Sequence, residues 1–459
     1  MNNLTKLFTY LSIATIALLA VSCLNNKATD SSETQSTGRP TSFASDDEFL
    51  DFIQKTHINY MWEGAEKTSG LAPERIHMDS VYPENDADVI TTGGSGFGIA
   101  GLIVGIEREF IPRAEGVIRL HKIADYLAKA DRFHGIWSHW IYGPTGKAKP
   151  FSKKDNGGDL VESAFLIQGL LIAREYFKNG NETEKELAAK IDKLWREMDW
   201  TWYLNNKNVL YWHWSPEYEW EMNFPLEGYN ECLITYILAA SSPTHTIPAS
   251  AYHQGWARGG AIKSDKTAYN FPLVVKHNGA EEYGGPLFWA HYSYIGLSPK
   301  GLKDQYADYW EVNKNQALIN YNYCKQNPKG FKGYSEDCWG LTASYTVDGY
   351  TAHTPMQNDK GVITPTAALS SFPYTPEQSM RALKYFYNEM GEKLWGKYGF
   401  YDAFSIQDNW YPIRYLAIDQ LTIAPMIENY RTGLLWNLFM GAPEIQEGLK
   451  KLGFTYQPQ

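Results

Sequence analysis

Two kinds of helical segment alternate along the chain, and this alternation is the feature that most restricts its fold. Residues 160–176 (LVESAFLIQGLLIAREY) are apolar almost all round, which is typical of a helix buried on most sides. Residues 183–204 instead place Glu, Lys and Arg opposite a row of apolar side chains, as in a helix with one exposed face. The simplest arrangement for both kinds is an inner ring of helices enclosed by an outer ring. The pattern therefore predicts an all-α fold of the α/α-barrel type.

Helices are expected along most of the chain. From the spacing of apolar residues we predict them at 46–66, 96–110, 116–130, 160–176, 183–204, 231–240, 305–326, 376–391, 420–439 and 443–452. Long loops rich in aromatic and polar residues separate several of them, notably at 134–146, 211–225 and 345–359. Loops of this length inside a folded domain are usually functional. We expect these loops to line one mouth of the barrel.

The N-terminal segment has the pattern of an export signal. Residues 1–22 combine a short basic start with a mostly apolar stretch, and are predicted to be a signal peptide. The string AVSC (20–23) resembles a bacterial lipobox, so Cys23 is expected to carry lipid; an ordinary cleaved signal before a chance cysteine is the alternative. Residues 23–45 would be the lipidated cysteine and a flexible tether, and 46–459 one catalytic domain. This organisation implies an exported lipoprotein of the cell envelope, periplasm-facing or on the outer-membrane surface, that contacts the membrane through its lipid anchor only.

Charge and aromatic content limit the possible ligands. The 459 residues include 42 basic and 52 acidic side chains, a formal net charge of -10. Because nucleic-acid binding needs clustered basic residues, no nucleic-acid partner is expected. The 16 Trp, 32 Tyr and 20 Phe are an unusually large aromatic set, and such rings suit core packing and sugar stacking equally well. The aromatic excess admits a carbohydrate ligand without identifying one.

No pattern in the sequence indicates a metal site. Cys232, Cys324 and Cys338 contain no C-x-x-C pair, and the histidines have no recognised ligand spacing. The string DNGGD (155–159) lacks the alternating ligands and distal Glu of an EF-hand. We therefore expect no metal and no cofactor. The odd number of cysteines after residue 23 permits at most one disulfide, for which Cys324 and Cys338 are the candidate pair.

The string GFGIAG (96–101) formally matches the G-x-G-x-x-G dinucleotide-binding motif. That site needs a preceding strand and a βαβ unit, whereas the segments that follow are predicted helices. Tight helix packing or a substrate-facing turn is the preferred explanation for these glycines.

Acidic residues gather just before the buried helix at 160–176. Asp155 and Asp159 flank two glycines, and Glu162 follows Asp159 at a spacing that places both on one side of a helix. Helix capping would explain one or two of these acids, as an N-cap and a capping box. Three acids beside an aromatic loop favour a chemical role. Glu231, at the start of another apolar segment, is the fourth candidate, because desolvation there would raise its pKa as a general acid requires.

Glycoside hydrolysis uses carboxyl groups in pairs, one to protonate the leaving oxygen and one to activate water or attack the sugar. Loop aromatics would hold the sugars by stacking, although each ring alone suits the core equally well. The predicted substrate-binding residues are Trp137, His139, Trp140, Glu162, Trp212, Trp214, Tyr401, Asp402, Trp410 and Tyr411.

Several strings match a known pattern: TTGGSGFG (91–98), DNGGD (155–159), YNECLITYILAASSP (229–243), GFYDAF (399–404) and YLAIDQLTIAPMIENYRTGLLW (415–436). Through them residues 46–454 resemble the bacterial glucoamylase-like domain and, more narrowly, glycoside hydrolase family 144, whose members cleave β-1,2-glucans. The resemblance implies an (α/α)6 barrel and an inverting, metal-independent hydrolase.

The resemblance also implies functional acids at the positions selected above. Glu231 is assigned as the general acid, and Asp155 or Asp159 as the group that positions or activates water. Glu162 would support them or hold substrate. Two further aspartates are reserve candidates for the base, Asp402 and Asp419.

The mode of cleavage is the last expectation. The family contains endo-acting enzymes and exo-acting enzymes that release the disaccharide sophorose. Exo release of sophorose is expected, with endo action as the alternative. The loops at 242–276 and 347–364 could close one end of the cleft and favour exo action, or could equally cover the outer face of the barrel. The protein is expected to be a monomer. A non-catalytic glycan-binding lipoprotein, or a sugar epimerase or lyase on the same barrel, would be a protein of another class.

Overall fold

Helices joined by short strands and loops build the described part of the protein. The computed structural model describes residues 39–83 and 86–458. From Thr41 onward the chain forms one compact unit. The predicted signal peptide, Cys23 and positions 24–38 of the predicted tether lie outside the described residues. Within the described ranges, the model contains no helix with both the length and the apolar character that crossing a membrane demands.

The helices follow one another along the whole described chain. They are α1 (Asp46–Trp62), α2 (Thr92–Glu107), α3 (Arg113–Leu127), α4 (Leu160–Phe177), α5 (Glu182–Arg196), α6 (Leu233–Ser241), α7 (Tyr309–Gln326), α8 (Pro365–Leu369), α9 (Pro376–Lys384), α10 (Gly391–Leu394), α11 (Ala417–Gln420), α12 (Ile423–Arg431), α13 (Leu434–Met440) and α14 (Pro443–Lys451). Short π-helical segments occur at Ala251–Trp256 and Tyr385–Glu389.

The strands are short and pair antiparallel. They are β1 (Arg75–His77), β2 (Val89–Thr91), β3 (Arg132–Phe133), β4 (Ile136–Trp137), β5 (Trp140–Tyr142), β6 (Lys147–Lys149), β7 (Gly158–Asp159), β8 (His213–Trp214), β9 (Thr267–Ala268), β10 (Phe271–Pro272), β11 (Leu302–Lys303), β12 (Ala343–Thr346), β13 (Gly349–Ala352), β14 (Trp395–Gly396), β15 (Gly399–Phe400), β16 (Arg414–Leu416) and β17 (Thr455–Tyr456). Strands β2, β5 and β6 form a three-stranded sheet, and the two-stranded sheets are β1–β16, β3–β4, β7–β8, β9–β10, β11–β17, β12–β13 and β14–β15.

Burial differs between successive helices as the sequence predicts. Helices α2, α4 and α6 are buried almost all round. Helices α3, α5 and α14 bury one face only; α5, for example, buries Leu187, Ile191 and Leu194 and turns most of its charged side chains to solvent. The predicted predominance of helices is confirmed, with short sheets added. Strands β2, β7 and β16 lead directly into α2, α4 and α11, so each of these helices begins where a strand of a sheet ends.

Helices α2 and α4 make the most extensive helix contact, and glycines allow it. A Cβ atom on Gly96 would stand 2.1 Å from the carbonyl oxygen of Phe165, and one on Gly169 would stand 2.0 Å from the carbonyl oxygen of Gly96. The two backbones therefore touch directly, which no larger residue permits. Helix packing, one of the two preferred explanations of the G-x-G-x-x-G string, is confirmed.

Some helix boundaries differ from the prediction. Helix α6 begins at Leu233, so Glu231 lies in the preceding turn, where Asn230 Oδ1 accepts the N–H of Cys232 at 3.0 Å. The segment predicted as one helix at 420–439 is divided between α12 and α13 at Gly433, whose φ of 71° is left-handed. That conformation ends a helix and favours glycine.

The three cysteines in the described ranges are free and buried. The candidate disulfide between Cys324 and Cys338 is therefore not formed. Each side chain instead packs in the hydrophobic core with the apolar residues around it.

Candidate active site

Strands β7 and β8 bring two acids and a histidine together at the start of α4. The strands pair with Asp159 opposite His213. The His213 Nε2 atom lies 3.4 Å from Asp155 Oδ2 and 3.8 Å from Asp159 Oδ2. The aromatic loop at 211–225 therefore supplies a histidine to the acids that sequence analysis selected.

A second histidine reaches the same acids from the turn between β4 and β5. His139 Nδ1 lies 3.1 Å from Asp159 Oδ2, and its Nε2 lies 3.9 Å from Glu162 Oε1. Burial alone would lower the pKa of His139, but the charges of Glu162 and Asp159 outweigh burial and raise it to about 10. The ring is thus an imidazolium at neutral pH and donates its Nδ1 proton to Asp159.

The acids around this imidazolium have different pKa values. Burial raises the pKa of Asp155, and the charge of Asp159 raises it further. Burial also acts on Asp159, but the hydrogen bond and charge of His139 outweigh it and hold the pKa of Asp159 below its ordinary value. Burial raises the pKa of Glu162 in spite of the opposing charge of His139. Asp159 is therefore a carboxylate whose neighbours hold protons more readily than free carboxyl groups do.

Asp159 is both a helix cap and the partner of His139. Its Oδ1 accepts the N–H of Val161 at 3.1 Å and that of Glu162 at 2.9 Å, as an N-cap does. Glu162 does not complete a capping box, because its Oε2 accepts the N–H of Gly93 on α2 at 2.9 Å. Capping explains part of the role of Asp159 and none of that of Glu162.

Glu231 occupies the turn before α6. The Ser293 hydroxyl donates to its backbone carbonyl and fixes this turn. Burial raises the pKa of the Glu231 carboxyl to about 7, and the charge of Asp159 contributes to the rise. In a large fraction of the molecules the Glu231 carboxyl therefore carries a proton at neutral pH, which is the state of a general acid before catalysis.

Two cavities meet at Glu231. The outer cavity has a volume of about 600 Å³ and the inner cavity one of about 330 Å³. Both lie in the size range of ligand sites. Asp155 lines the outer cavity and Glu162 the inner one. The side chains that line both, and so mark the junction, are His139, Phe151, Trp212, Glu231 and Phe288.

Two tryptophans that line these cavities, Trp140 and Trp212, have indole N–H groups without a partner among the described residues. Trp140 lines the inner cavity, but Lys149 Nζ lies over its ring at 5.0 Å from the centroid. The Nε1 atoms of Trp140 and Trp212 are buried without a hydrogen-bond partner among the described residues. A buried donor left unpaired costs free energy.

Other predicted binding residues lie outside both cavities. Trp137 is fully buried in the core and donates from Nε1 to the Leu127 carbonyl at 3.1 Å. Trp214 follows His213 on a strand, so its side chain points to the opposite face, and it packs on Trp202 with 5.7 Å between ring centroids. The other predicted contacts that line neither cavity are Tyr401, Asp402, Trp410 and Tyr411. The structure thus corrects the placement of these residues, whose packing the sequence pattern does not reveal.

Asp402 and Asp419 form a buried pair behind the inner cavity. Asp402 Oδ2 accepts the N–H of Tyr345 at 2.8 Å, and Asp419 Oδ1 accepts the hydroxyl of Tyr292 at 3.0 Å. Both tyrosines line the inner cavity. Burial raises the pKa of both aspartates, and the charge of Asp402 raises that of Asp419 further. Since adjacent buried carboxylates repel each other, the pair retains a proton.

Comparison with known proteins gives the family. Residues 223–443 match the family model Glycoamylase, which describes glucoamylases. The structure of an endo-β-1,2-glucanase from Chitinophaga pinensis, solved with sophorotriose and glucose, is 63% identical, with a TM-score of 0.89 over 90% of this chain and 99% of that chain. The chain belongs to glycoside hydrolase family 144. The resemblance read from the sequence strings is confirmed.

Two relatives from Parabacteroides are longer than this family 144 chain. An exo-β-1,2-glucooligosaccharide sophorohydrolase (non-reducing end) of Parabacteroides distasonis is 45% identical over 95% of this chain, which spans 62% of that protein. A β-1,2-glucanase structure from the same species is 46% identical, with a TM-score of 0.84 over 89% of this chain and 60% of that chain. An endo-β-1,2-glucanase of Talaromyces funiculosus, 13% identical with a TM-score of 0.62 over 88% of this chain and 92% of its own, shares the fold alone.

Sequence analysis missed several residues that line the cavities of this family 144 site. They are Arg75, Phe151, His213, Phe224, Phe288, Trp289, Tyr292, Tyr345 and Tyr350. His213 could have been found in its WHW string, and Tyr345 and Tyr350 in the aromatic loop at 345–359. Phe151 has no such signal: it is an isolated loop residue whose ring stacks on His139 with 4.1 Å between centroids.

One group of side chains in the described ranges has the geometry of cation ligands. Ligand atoms of His139, Asp155 and Asp159 all lie within 4.8 Å of one another. The hydrogen bond between His139 and Asp159 already uses two of these side chains, and a cation would have to displace its proton. The expectation of no metal and no cofactor stays a prediction.

Proposed function

We propose that the protein hydrolyses β-1,2-linked glucan or its oligosaccharides by an inverting acid/base mechanism on an (α/α)6 barrel. The observation that carries the proposal is the position of Glu231, a proton-holding carboxyl at the junction of two cavities, with Asp155 on the wall of one of them. The relatives from Chitinophaga and Parabacteroides act on β-1,2-glucans, which supports the linkage. The alternation of buried and two-faced helices supports the barrel.

Glu231 is the proposed general acid. Cleavage of a glycosidic bond needs a proton on the leaving oxygen, and a carboxyl with a pKa near the working pH supplies it most effectively. Burial gives Glu231 this property. A sugar chain that passes from the outer to the inner cavity brings its bonds past this side chain.

Asp155 is the proposed base. In an inverting enzyme the second carboxyl group takes a proton from the attacking water. Asp159 is ionised, but its oxygens are occupied by the start of α4 and by His139. Asp155 faces the outer cavity and has His213 Nε2 at 3.4 Å. Asp159, His139 and Glu162 then serve to position it and to hold the substrate.

Exo release of sophorose is the proposed mode, as the sequence predicts and the Parabacteroides sophorohydrolase supports. Endo action is a second candidate that a specific observation favours. The endo-acting Chitinophaga enzyme is 63% identical and is matched over 99% of its chain, whereas this chain spans only 62% of the sophorohydrolase.

Linear β-1,2-glucan is the substrate that tests the function. Wild type should release reducing ends, with sophorose as the sole early product for exo action and a ladder of oligosaccharides for endo action. Glu231→Gln keeps the shape of the side chain but cannot give up a proton, so we expect a loss of about 10³-fold in kcat. Binding of the glucan without release of reducing ends by folded wild type would instead establish a non-catalytic glycan-binding protein. An epimerised or unsaturated product would establish the epimerase or lyase.

We also propose that the chain is exported as a monomer and anchored through lipid on Cys23. The apolar leader and the AVSC string support this. Cell fractionation compares wild type with Cys23→Ser. Wild type should be recovered with membranes and the variant in the soluble fraction; recovery of both in the soluble fraction would exclude the anchor.

A further inference from the structure

A β-hairpin forms one wall of the inner cavity. Strands β12 and β13 pair with Tyr345 opposite Tyr350, and Thr346 and Gly349 bound the turn. Residues directly opposite each other in an antiparallel pair project from the same face. Both tyrosines line the inner cavity, so this face is turned towards it.

Both strands of the hairpin are fixed by hydrogen bonds. The Tyr345 N–H donates to Asp402 at 2.8 Å, and the Tyr345 hydroxyl lies 2.9 Å from His77 Nε2. On the other strand, Asn358 Nδ2 donates to the Ala352 carbonyl at 2.7 Å. The tip is open to solvent, with Val347 54% exposed. The hairpin is therefore a wall whose strands are fixed and whose turn is exposed to solvent.

Tyr350 lies next to that exposed turn and makes little packing contact. Its side chain is 55% exposed and lies outside the hydrophobic core of the described residues. A tyrosine that contributes so little to the core, yet lines a cavity, is available to a ligand.

The position of Glu231 gives this wall a consequence. Because Glu231 lies where the two cavities meet, a bond cleaved beside it leaves one product in the inner cavity and the other in the outer cavity. The inner cavity, at about 330 Å³, is near the lower limit for ligand sites and takes only a short segment of chain. The hairpin, as one wall of that cavity, then limits the length of the segment that is cut off.

We propose that the hairpin of β12 and β13 determines how many glucose units the inner cavity holds, and that the Tyr350 hydroxyl contacts the outermost of them. This inference rests on the proposed function and adds to it the residue that determines product length. Tyr345 supports the wall through Asp402, while Tyr350 meets the sugar.

The test uses two variants of Tyr350 and a matched control. Tyr350→Ala removes the ring from the wall, so the ratio of longer to shorter early products from linear β-1,2-glucan should rise by about fivefold or more, the size of effect expected when a contacting ring is lost. Tyr350→Phe keeps the ring, so the product ratio should stay at the wild-type value while KM rises about fivefold. Tyr142→Ala removes a tyrosine of similar exposure that lines neither cavity, and should change neither quantity.

Each outcome decides the inference. Unchanged early products from an active Tyr350→Ala variant would overturn it and leave the proposed function intact. No cleavage of β-1,2-glucan by wild type would overturn both. If Tyr350→Ala does not fold, Tyr350→Phe decides: a wild-type KM would show that the hydroxyl contacts no sugar, and a raised KM with unchanged circular dichroism would support the contact.

Discussion

Two groups of buried acids lie beside or behind the two cavities, and they differ in their partners. The histidine-paired acids Asp155, Asp159 and Glu162 surround the imidazolium of His139, with His213 beside the two aspartates. The aspartate pair, Asp402 and Asp419, receives hydrogen bonds from a tyrosine hydroxyl and a backbone amide, neither of which carries charge.

The difference in partners determines which group contains a stable carboxylate. A cation stabilises the ionised carboxylate, so one member of the histidine-paired acids, Asp159, stays negative in spite of complete burial. Neutral donors do not offset the burial of two charges, so the aspartate pair retains a proton. The acids of both groups are buried, and their partners separate a group that contains a stable carboxylate from a pair that retains a proton.

The strongest test of this difference removes one charge from each group. Asp155→Asn should lower kcat on β-1,2-glucan by about 10³-fold, because the amide cannot take a proton from water. Asp402→Asn should lower it less than about threefold, because the amide oxygen still accepts the Tyr345 N–H and the loss of one such bond is small. Reducing-end assays measure both. Similar losses in the two variants would show that the aspartate pair takes part in catalysis.

The close packing of α2 on α4 positions the start of α4, where Asp159 and Glu162 lie. Gly96→Ala places a Cβ 2.1 Å from the Phe165 carbonyl, so α4, which carries Asp159 and Glu162, must move. We expect a loss of about 3 kcal/mol in the free energy of unfolding, the upper range for overpacking. Urea denaturation measures it.

Gly101 provides the matched control for this substitution. It lies on the same helix, but the nearest neighbour of an added Cβ is Ile58 Cγ1 at 3.8 Å. Gly101→Ala should therefore stabilise the protein by about 0.5–1 kcal/mol, the helix preference for alanine. Equal effects of the two substitutions would mean that the close approach of α2 and α4 is not what demands glycine.

The pH profile tests the charge of Asp159. Activity should fall at low pH as Asp155 gains a proton, and at high pH as Glu231, with a pKa of about 7, loses one. Asp159→Asn removes a negative neighbour, which makes Asp155 easier to ionise and should move the acid limb of kcat/KM down by about one pH unit. Asp419→Asn, in the other group, should leave that limb in place. An unmoved limb in Asp159→Asn would contradict Asp155 as the base.

The smallest expected effect is on stability. The folded-state pKa of Asp402 is raised, so the folded protein binds the proton more tightly and loses stability as pH rises from the unfolded value near 4 through the folded one. Asp402→Asn removes this loss. Relative to wild type, its free energy of unfolding should improve by up to about 1 kcal/mol between pH 4 and pH 8. Chemical denaturation at the two pH values measures the difference, and the opposite trend would show that folding lowers the pKa of Asp402.

Local sequence patterns predicted the helices and the acids at their ends. The all-round apolar string of α4 and the DNGGD string before it lie close together in the chain. The structure has a buried helix at the first string, with Asp159 of the second string as its N-cap. The pairing of β7 with β8, which brings His213 to Asp155, joins distant segments, and each strand is only two residues long. No periodicity can be read from so short a strand. For the same reason the sequence could not show that Trp137 and Trp214 face away from the cavities.

Alkylation of the buried free cysteines can measure how often the structure around each of them opens locally. Burial raises the pKa of the Cys232, Cys324 and Cys338 thiols, so each is inert towards alkylating reagents while enclosed. Cys232 adjoins Glu231, and Cys338 lies shortly before the hairpin of β12 and β13. Under conditions where closing is faster than labelling, the alkylation rate at each position reports how often that region exposes its thiol. The protein thus carries its own reporters at two parts of the cleft, without any introduced label.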